Sequence, residues 1–148
     1  INELEAAVGL VNIDEYGEIL GRRRKNLKYL MGKFKRFRPH LVTIGEERYE
    51  SIGPHAFPVI VQEGAGFMRD KIVDYLEKNG VETRTLFSSM PTQCAGFKYL
   101  GYRKGDFPNA EYIGNNGFHI GVHQDLGKEH LDYFLDRVAE FLNDHTGR

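Results

Sequence analysis

Residues 57–87 read FPVIVQEGAGFMRDKIVDYLEKNGVETRTLF, and the change of period inside this stretch decides the fold. Phe57, Val59, Ile60 and Val61 form a β-branched and aromatic run of the kind that suits a buried pleated surface. Gly64 and Gly66 close it; the loop Gly64-Ala65-Gly66 lacks the rest of a phosphate-binding fingerprint and reads as a turn. Met68, Ile72 and Leu76 then recur every fourth residue beside Val73, while Arg69, Asp70, Glu77 and Lys78 fall on the opposite, wet face of a helix. Asn79-Gly80 is a helix stop, because glycine accepts the left-handed conformation of the closing turn. Residues 81–87 return as a strand. A strand–helix–strand unit this small cannot bury its own sheet, so the flanking chain must supply the other faces.

Working outward, Leu4, Val8 and Val11 mark one apolar face and Leu27, Leu30, Met31 and Phe34 another. The spacing predicts a helix from Asn2 to about Phe37, bent or broken near Tyr16-Gly17 or Gly21, and ended by Pro39. Residues 41–44 are a short strand, and residues 46–55 a polar loop with a turn at Gly53-Pro54, in which Glu46 and Glu47 read as solvated. On the other side, residues 88–106 show no sustained period and read as a functional or mobile loop. A short helix is predicted to start at Pro108 and stop at Asn115-Asn116-Gly117, followed by a strand over residues 118–123. Leu131, Phe134, Leu135, Val138, Phe141 and Leu142 define a last helix over residues 128–144. The sum is a small α/β sandwich: a long helix, then a mainly antiparallel sheet of three or four strands with helices on one face.

At 148 residues the chain suits one domain, and 20 basic against 21 acidic residues give no general positive field for nucleic acid. The run Arg22 to Lys25 reads as a solvated helix face. The single cysteine, Cys94, excludes an internal disulfide and fits a reducing compartment. No apolar run approaches the roughly 20 residues a membrane span needs, and the expected location is the cytoplasm. The chain opens on INELEAAVGL, without an initiator methionine and with helical periodicity already running, and so reads as a piece of a longer polypeptide.

Three basic side chains draw attention. His119 and His123 are four apart, but in a strand that spacing puts them roughly 13 Å apart on one face, too far for a shared metal. They mark a polar sheet face covered by another chain, or else His123 reaches a ligand at the strand's end. Arg84 sits beside Leu86 and Phe87, where a guanidinium must be exposed or paired; a surface salt bridge and a contact to a carboxylate or phosphate both stay open.

The ordered motifs of the whole chain resemble sugar aminotransferases of the DegT/DnrJ/StrS family. The opening INELEAAVGL is similar to that family's Met-Ser/Thr-Glu-Leu-Gln-Ala-Ala-Ile-Gly-Leu, with Leu4, Ala6, Ala7, Gly9 and Leu10 matching. The Arg-rich turn at residues 22–26, the FPVI strand after His55 and LEKNGVETRTLF follow in order. Then come Pro108-Asn109-Ala110-Glu111 and FHIGVHQDLGKEHLDY. The resemblance implies the C-terminal domain of a fold-type I enzyme dependent on pyridoxal 5'-phosphate, acting on a nucleotide-linked 4-keto-6-deoxy sugar with an amino donor, as a homodimer. The cofactor and its lysine would belong to an N-terminal domain, leaving this piece inert alone. Here Arg84, Phe87, Met90, Gln93 and His123 would wall the substrate cleft, although Gln124 stands where the family often has Pro. Two branches are implied: first aminotransferases, the expected activity, and as the alternative 3-dehydrases that remove a hydroxyl with the pyridoxamine form. The rival is a self-sufficient, non-catalytic binding module with all helix faces satisfied. The enzyme reading instead expects a bare apolar row from Leu4 through Val11.

Overall fold

The computed structural model describes residues 2–86 and 90–146, so Phe87 lies outside the described residues. The first helix, α1 (Glu3–Phe34), starts on a capping box: Asn2 Oδ1 accepts the Glu5 N–H at 2.9 Å and Glu5 Oε2 accepts the Asn2 N–H at 3.1 Å. It runs unbroken past Tyr16-Gly17 and Gly21, where a bend was expected. A Cβ at Gly9, Gly17 or Gly21 would meet open space, so these glycines weaken the helix without any contact forcing a kink. At its C-terminal end the helix tightens into a 3₁₀ turn, Lys35–Phe37.

Four strands follow: β1 (Leu41–Val42), β2 (Ala56–Val61), β3 (Arg84–Thr85) and β4 (Gly117–Gly121). They order as β1-β2-β4-β3, every neighbouring pair antiparallel. Alternation is strict along β2. Phe57, Val59 and Val61 of β2 and Phe118 and Ile120 of β4 are buried, with Val122 just beyond. Against this inner face pack Ile72 and Leu76 of α2 (Arg69–Lys78) and the apolar stripe of α4 (Lys128–Thr146). The C-terminal part of α1 adds Leu27, Leu30 and Phe34 to the same core. Phe34 holds the layers together, its ring 5.1 Å from Phe57, 5.2 Å from Phe37 and 6.2 Å from Phe134.

The strand expected over residues 81–87 shrinks to two residues. Gly80, at φ 75°, closes α2, and the Val81 N–H is spent on the Leu76 carbonyl at 2.9 Å. Thr83 Oγ1 then donates to Glu77 Oε1 at 2.7 Å, so the chain reaches the ladder only at Arg84. The short helix α3 (Pro108–Asn116) follows expectation and leads straight into β4. Gly117 sits at that junction because a Cβ there would lie 2.5 Å from the Ile113 carbonyl oxygen and 2.6 Å from Leu86 Cδ1.

The N-terminal half of α1 stands apart from this core. Leu4, Val8 and Val11 are 76%, 57% and 56% exposed, and Leu10, Ile13 and Tyr16 are exposed with them. The apolar row is bare along its length.

Candidate functional site

With helices on its inner face, the sheet turns a polar row outward. Antiparallel pairing sets Pro58 opposite His119, and His119 opposite Arg84, so the three lie side by side across β2, β4 and β3. His55, just before β2, presents its ring edge-on to His119 with centroids 6.3 Å apart. Burial of His119, reinforced by the charges of His55 and Arg84, holds its pKa below the ordinary imidazole value. Arg84 is exposed and ion-paired with Glu82, so the salt-bridge reading is realised without excluding an anionic ligand.

The region expected to lack structure contains two 3₁₀ segments, Pro91–Gln93 and Ala95–Leu100. One carboxylate ties the first of these to the loop before α3. Glu111 Oε1 accepts Gln93 Nε2 at 2.6 Å, the Gly105 N–H at 2.8 Å and the Phe107 N–H at 3.3 Å, while Gln93 Nε2 also donates to the Arg103 carbonyl at 2.9 Å. The Gln93 amide, then the Gly105 N–H, hold the Glu111 carboxyl below its usual range. Because the folded pKa is depressed, the stabilisation is complete above the ordinary carboxylate pKa and is lost as pH falls through the lowered value. A carbon-detected titration should therefore show Glu111 titrating below an ordinary glutamate. Glu111→Ala should speed amide exchange at Gly105 and Phe107 while sparing Val59 and Phe118. An ordinary midpoint with unmoved loop amides would remove this network as the loop's organiser.

His123 is not in the strand as expected. β4 ends at Gly121, and the Leu126 N–H folds back onto the His123 carbonyl at 3.2 Å, making a turn. Buried Asn26 secures that turn, its Nδ2 donating to the His123 carbonyl at 2.8 Å and the Leu126 carbonyl at 3.3 Å. Arg23 Nε donates to Gln124 Oε1 at 2.9 Å from the same helix face. The imidazole of His123 is half exposed and lines a groove of about 560 Å³ with Tyr16, Ile19, Arg23, His55 and Gln124.

Two solvated readings are corrected here. Arg23 and Arg24 of the basic run are engaged, Arg24 with Glu46 at 3.2 Å, and Glu46 Oε1 also accepts the Ile52 N–H at 2.9 Å. That N–H, seconded by Arg24, holds the Glu46 carboxyl below its usual range. Glu46 thus pins the loop that delivers His55.

The expected wall residues fall at three places. Met90 and Gln93 share one turn, joined by the Gln93 N–H to the Met90 carbonyl at 2.9 Å. Arg84 lies in the outward row and His123 on the groove. His55 belongs to both of these, and sequence reasoning passed over it, along with Asn26 and the role of Glu111. The only signal for Glu111 was its place in the first turn of a helix opened by Pro108. Among the described residues, no cluster of three or more histidine, cysteine or acidic side chains could hold a metal, and no helix is long and apolar enough to cross a membrane.

Comparison with known proteins places this geometry. The chain is 30% identical over 145 residues to the lipopolysaccharide biosynthesis protein RfbH of Salmonella typhimurium, across 96% of this chain and 33% of that protein. It is 26% identical over 147 residues to dTDP-4-dehydro-2,6-dideoxy-D-glucose 3-dehydratase of Saccharopolyspora spinosa, across 95% of this chain and 30% of that enzyme. The crystal structure of a GDP-4-keto-6-deoxymannose-3-dehydratase, solved with a trapped adduct of pyridoxal phosphate and glutamate, superposes with a TM-score of 0.77 at 27% identity. That superposition covers 88% of this chain and 34% of the dehydratase. The chain therefore spans about a third of the length of the curated relatives it matches. The profile of the DegT/DnrJ/EryC1/StrS aminotransferase family matches residues 1–139, and the chain belongs to that family.

Proposed function

We propose that this chain is the C-terminal domain of a longer, cytoplasmic, homodimeric enzyme. That enzyme acts on a nucleotide-linked 4-keto-6-deoxy sugar in polysaccharide or amino-sugar biosynthesis. The observation that carries the reading is a sheet that turns His119 and Arg84 outward, away from its helix-packed core, beside a helical arm with a bare apolar row. Such a wall and arm suit a larger body closing over the polar face, and they count against a self-sufficient binding module, whose helix faces would all be satisfied.

Pyridoxal phosphate would act as the electron sink for the sugar chemistry. Every lysine of this chain is exposed, so no amine here is desolvated in the way that primes a lysine for covalent work. The residues of this chain do not fit the cofactor, and the rest of the longer protein would hold it. This domain would bind and orient the sugar. Arg84 would offer a guanidinium to an oxyanion and His123 an imidazole in the groove, with Met90 in the turn of Gln93; Phe87, outside the described residues, joins them on the resemblance alone. Gln93, its amide hydrogens engaged by Glu111 and Arg103, would offer a sugar hydroxyl its carbonyl oxygen.

Two chemistries share this scaffold. Removal of the 3-hydroxyl is favoured by the two 3-dehydratases among the relatives described above. Transfer of an amino group is the second reading, favoured by the family's namesake activity. The test is the absorbance of the longer protein purified with pyridoxal phosphate, before and after borohydride, together with the mass of the product sugar. A borohydride-fixed lysine linkage and an amino sugar support transfer. Bound cofactor without the linkage, and a product lacking one hydroxyl, support dehydration. A protein that binds no cofactor overturns both.

A further inference from the structure

Charge is segregated along α1 and the turn that follows it. Residues 1–18 hold five acidic side chains and no basic one, whereas residues 19–45 hold nine lysines and arginines and no acidic one. Three of the nine are spent inside the fold: Arg22 pairs with Glu18, Arg23 with Gln124 and Arg24 with Glu46. Arg36 lies on the Phe37 ring at 4.7 Å and Lys33 over the Tyr29 ring at 5.9 Å. Lys35 and Arg38 are exposed, and their side chains have no partner among the described residues. Three apart on a 3₁₀ turn, they look the same way. Both overlook one groove of about 500 Å³ between that turn and β1, with Met31, Val42 and Ile44 as its apolar floor. Gln62 lines it too, spending one amide hydrogen on the Arg38 carbonyl at 3.3 Å and keeping the other. A second groove of about 350 Å³, between the same turn and α4, is lined by Arg36 and His40. No carboxylate lines either groove, and Glu46, the next acid along the chain, is engaged by Arg24 and the Ile52 N–H.

We infer that the two grooves form a docking surface for an extended acidic segment of a partner protein. The unpaired cations call for carboxylates, which the Arg38 fork takes in a bidentate pair. Two grooves on one turn call for a ligand long enough to straddle it, which a single small anion is not. The floor under Lys35 and Arg38 takes an aliphatic side chain carried between the carboxylates. A bilayer is too flat to enter either groove. The aromatic rings that line them, Phe34 and Phe37, are buried, so a single-stranded nucleic acid finds nothing to stack on. The first groove lies along β1, at the opposite edge of the sheet from β3, so the inference does not depend on the sugar-nucleotide reading.

The experiment measures, by fluorescence anisotropy, binding of this chain to a labelled peptide that alternates glutamate and leucine, beside one with glutamine for every glutamate. Saturable binding of the acidic peptide alone is expected, weakening as salt is raised. Amide shifts should centre on Lys35, Arg38, Thr43 and Gln62 and spare Arg84 and His119. Lys35→Gln combined with Arg38→Gln should weaken binding about tenfold through loss of charge-assisted contacts. Both positions are exposed, so amide signals of the core should stay in place. Lys71→Gln removes a charge from the exposed face of α2 and should leave the affinity unchanged. Ile44→Ala should weaken binding without altering its salt dependence, as loss of an apolar contact does. Overturning results are an acidic peptide that binds no better than its glutamine form, and a paired variant that binds like the parent. A Lys71→Gln loss as large as that of the paired variant also overturns the surface, because net charge alone would then account for binding. Vesicles of phosphatidylserine and phosphatidylcholine, or a short DNA duplex, that occupy these residues more tightly than the peptide overturn the choice of partner.

Discussion

Phe34→Ala is expected to destabilise the chain by about 3–5 kcal/mol, the range for removing a buried aromatic side chain. That is a large share of the roughly 5–15 kcal/mol that holds a typical domain folded. The position is 1% exposed, and its ring touches neighbours from three further parts of the fold: Phe37 of the 3₁₀ turn, Phe57 of β2 and Phe134 of α4. Truncation opens a cavity that those rings cannot all relax into, and it removes edge and stacked contacts beyond simple burial. The measurement is urea unfolding followed by circular dichroism. Leu4→Ala, on the bare row of α1, is the contrast and should change stability by about 0.5 kcal/mol or less. A Phe34→Ala midpoint close to the parent's would refute the placement of α1 as a wall of the core.

The second large effect is expected at Asn26. Asn26→Leu keeps the bulk and removes both donors, leaving the Leu126 carbonyl without its amide partner and the His123 carbonyl with only the Leu126 N–H. The cost should be about 1–3 kcal/mol, the penalty for orphaning a buried acceptor. It should be accompanied by faster exchange of the Leu126 amide as the turn carrying His123 loosens. Asn26→Asp separates hydrogen bonding from packing. Its ionised carboxylate cannot donate and would face two carbonyl oxygens, so at neutral pH it should be at least as damaging as leucine. Protonation restores one donor, and stability relative to the parent should recover as pH falls below the carboxylate range. If both variants match the parent in stability and exchange, the turn is held by something other than Asn26.

Much of the architecture was legible from local pattern. The period-two run at Phe57, Val59 and Val61 and the helical stripe from Leu131 to Leu142 correspond closely to buried positions. The stops at Gly80 and Gly117, and the bare row from Leu4 to Val11, also stand where the spacing put them. These features depend on which side of an element a residue occupies, which backbone geometry dictates over a few residues. The candidate site was far less legible. Nothing local says that β4 inserts between β2 and β3, yet that order sets His119 against Arg84 and brings His55 to His119. Asn26 meets residues 97 and 100 positions away, Arg23 meets Gln124 at 101, and Arg24 finds Glu46 at 22. Read along the chain, Arg23, Arg24 and Glu46 are ordinary surface charges and Asn26 an ordinary helix polar residue. The amino-acid sequence by itself determined the long helices, the central strand and their buried faces, and pointed to the family. The partners of the polar side chains were decided only by the tertiary structure, because burial forces each donor and acceptor to find a mate among whatever groups chain closure brings within reach.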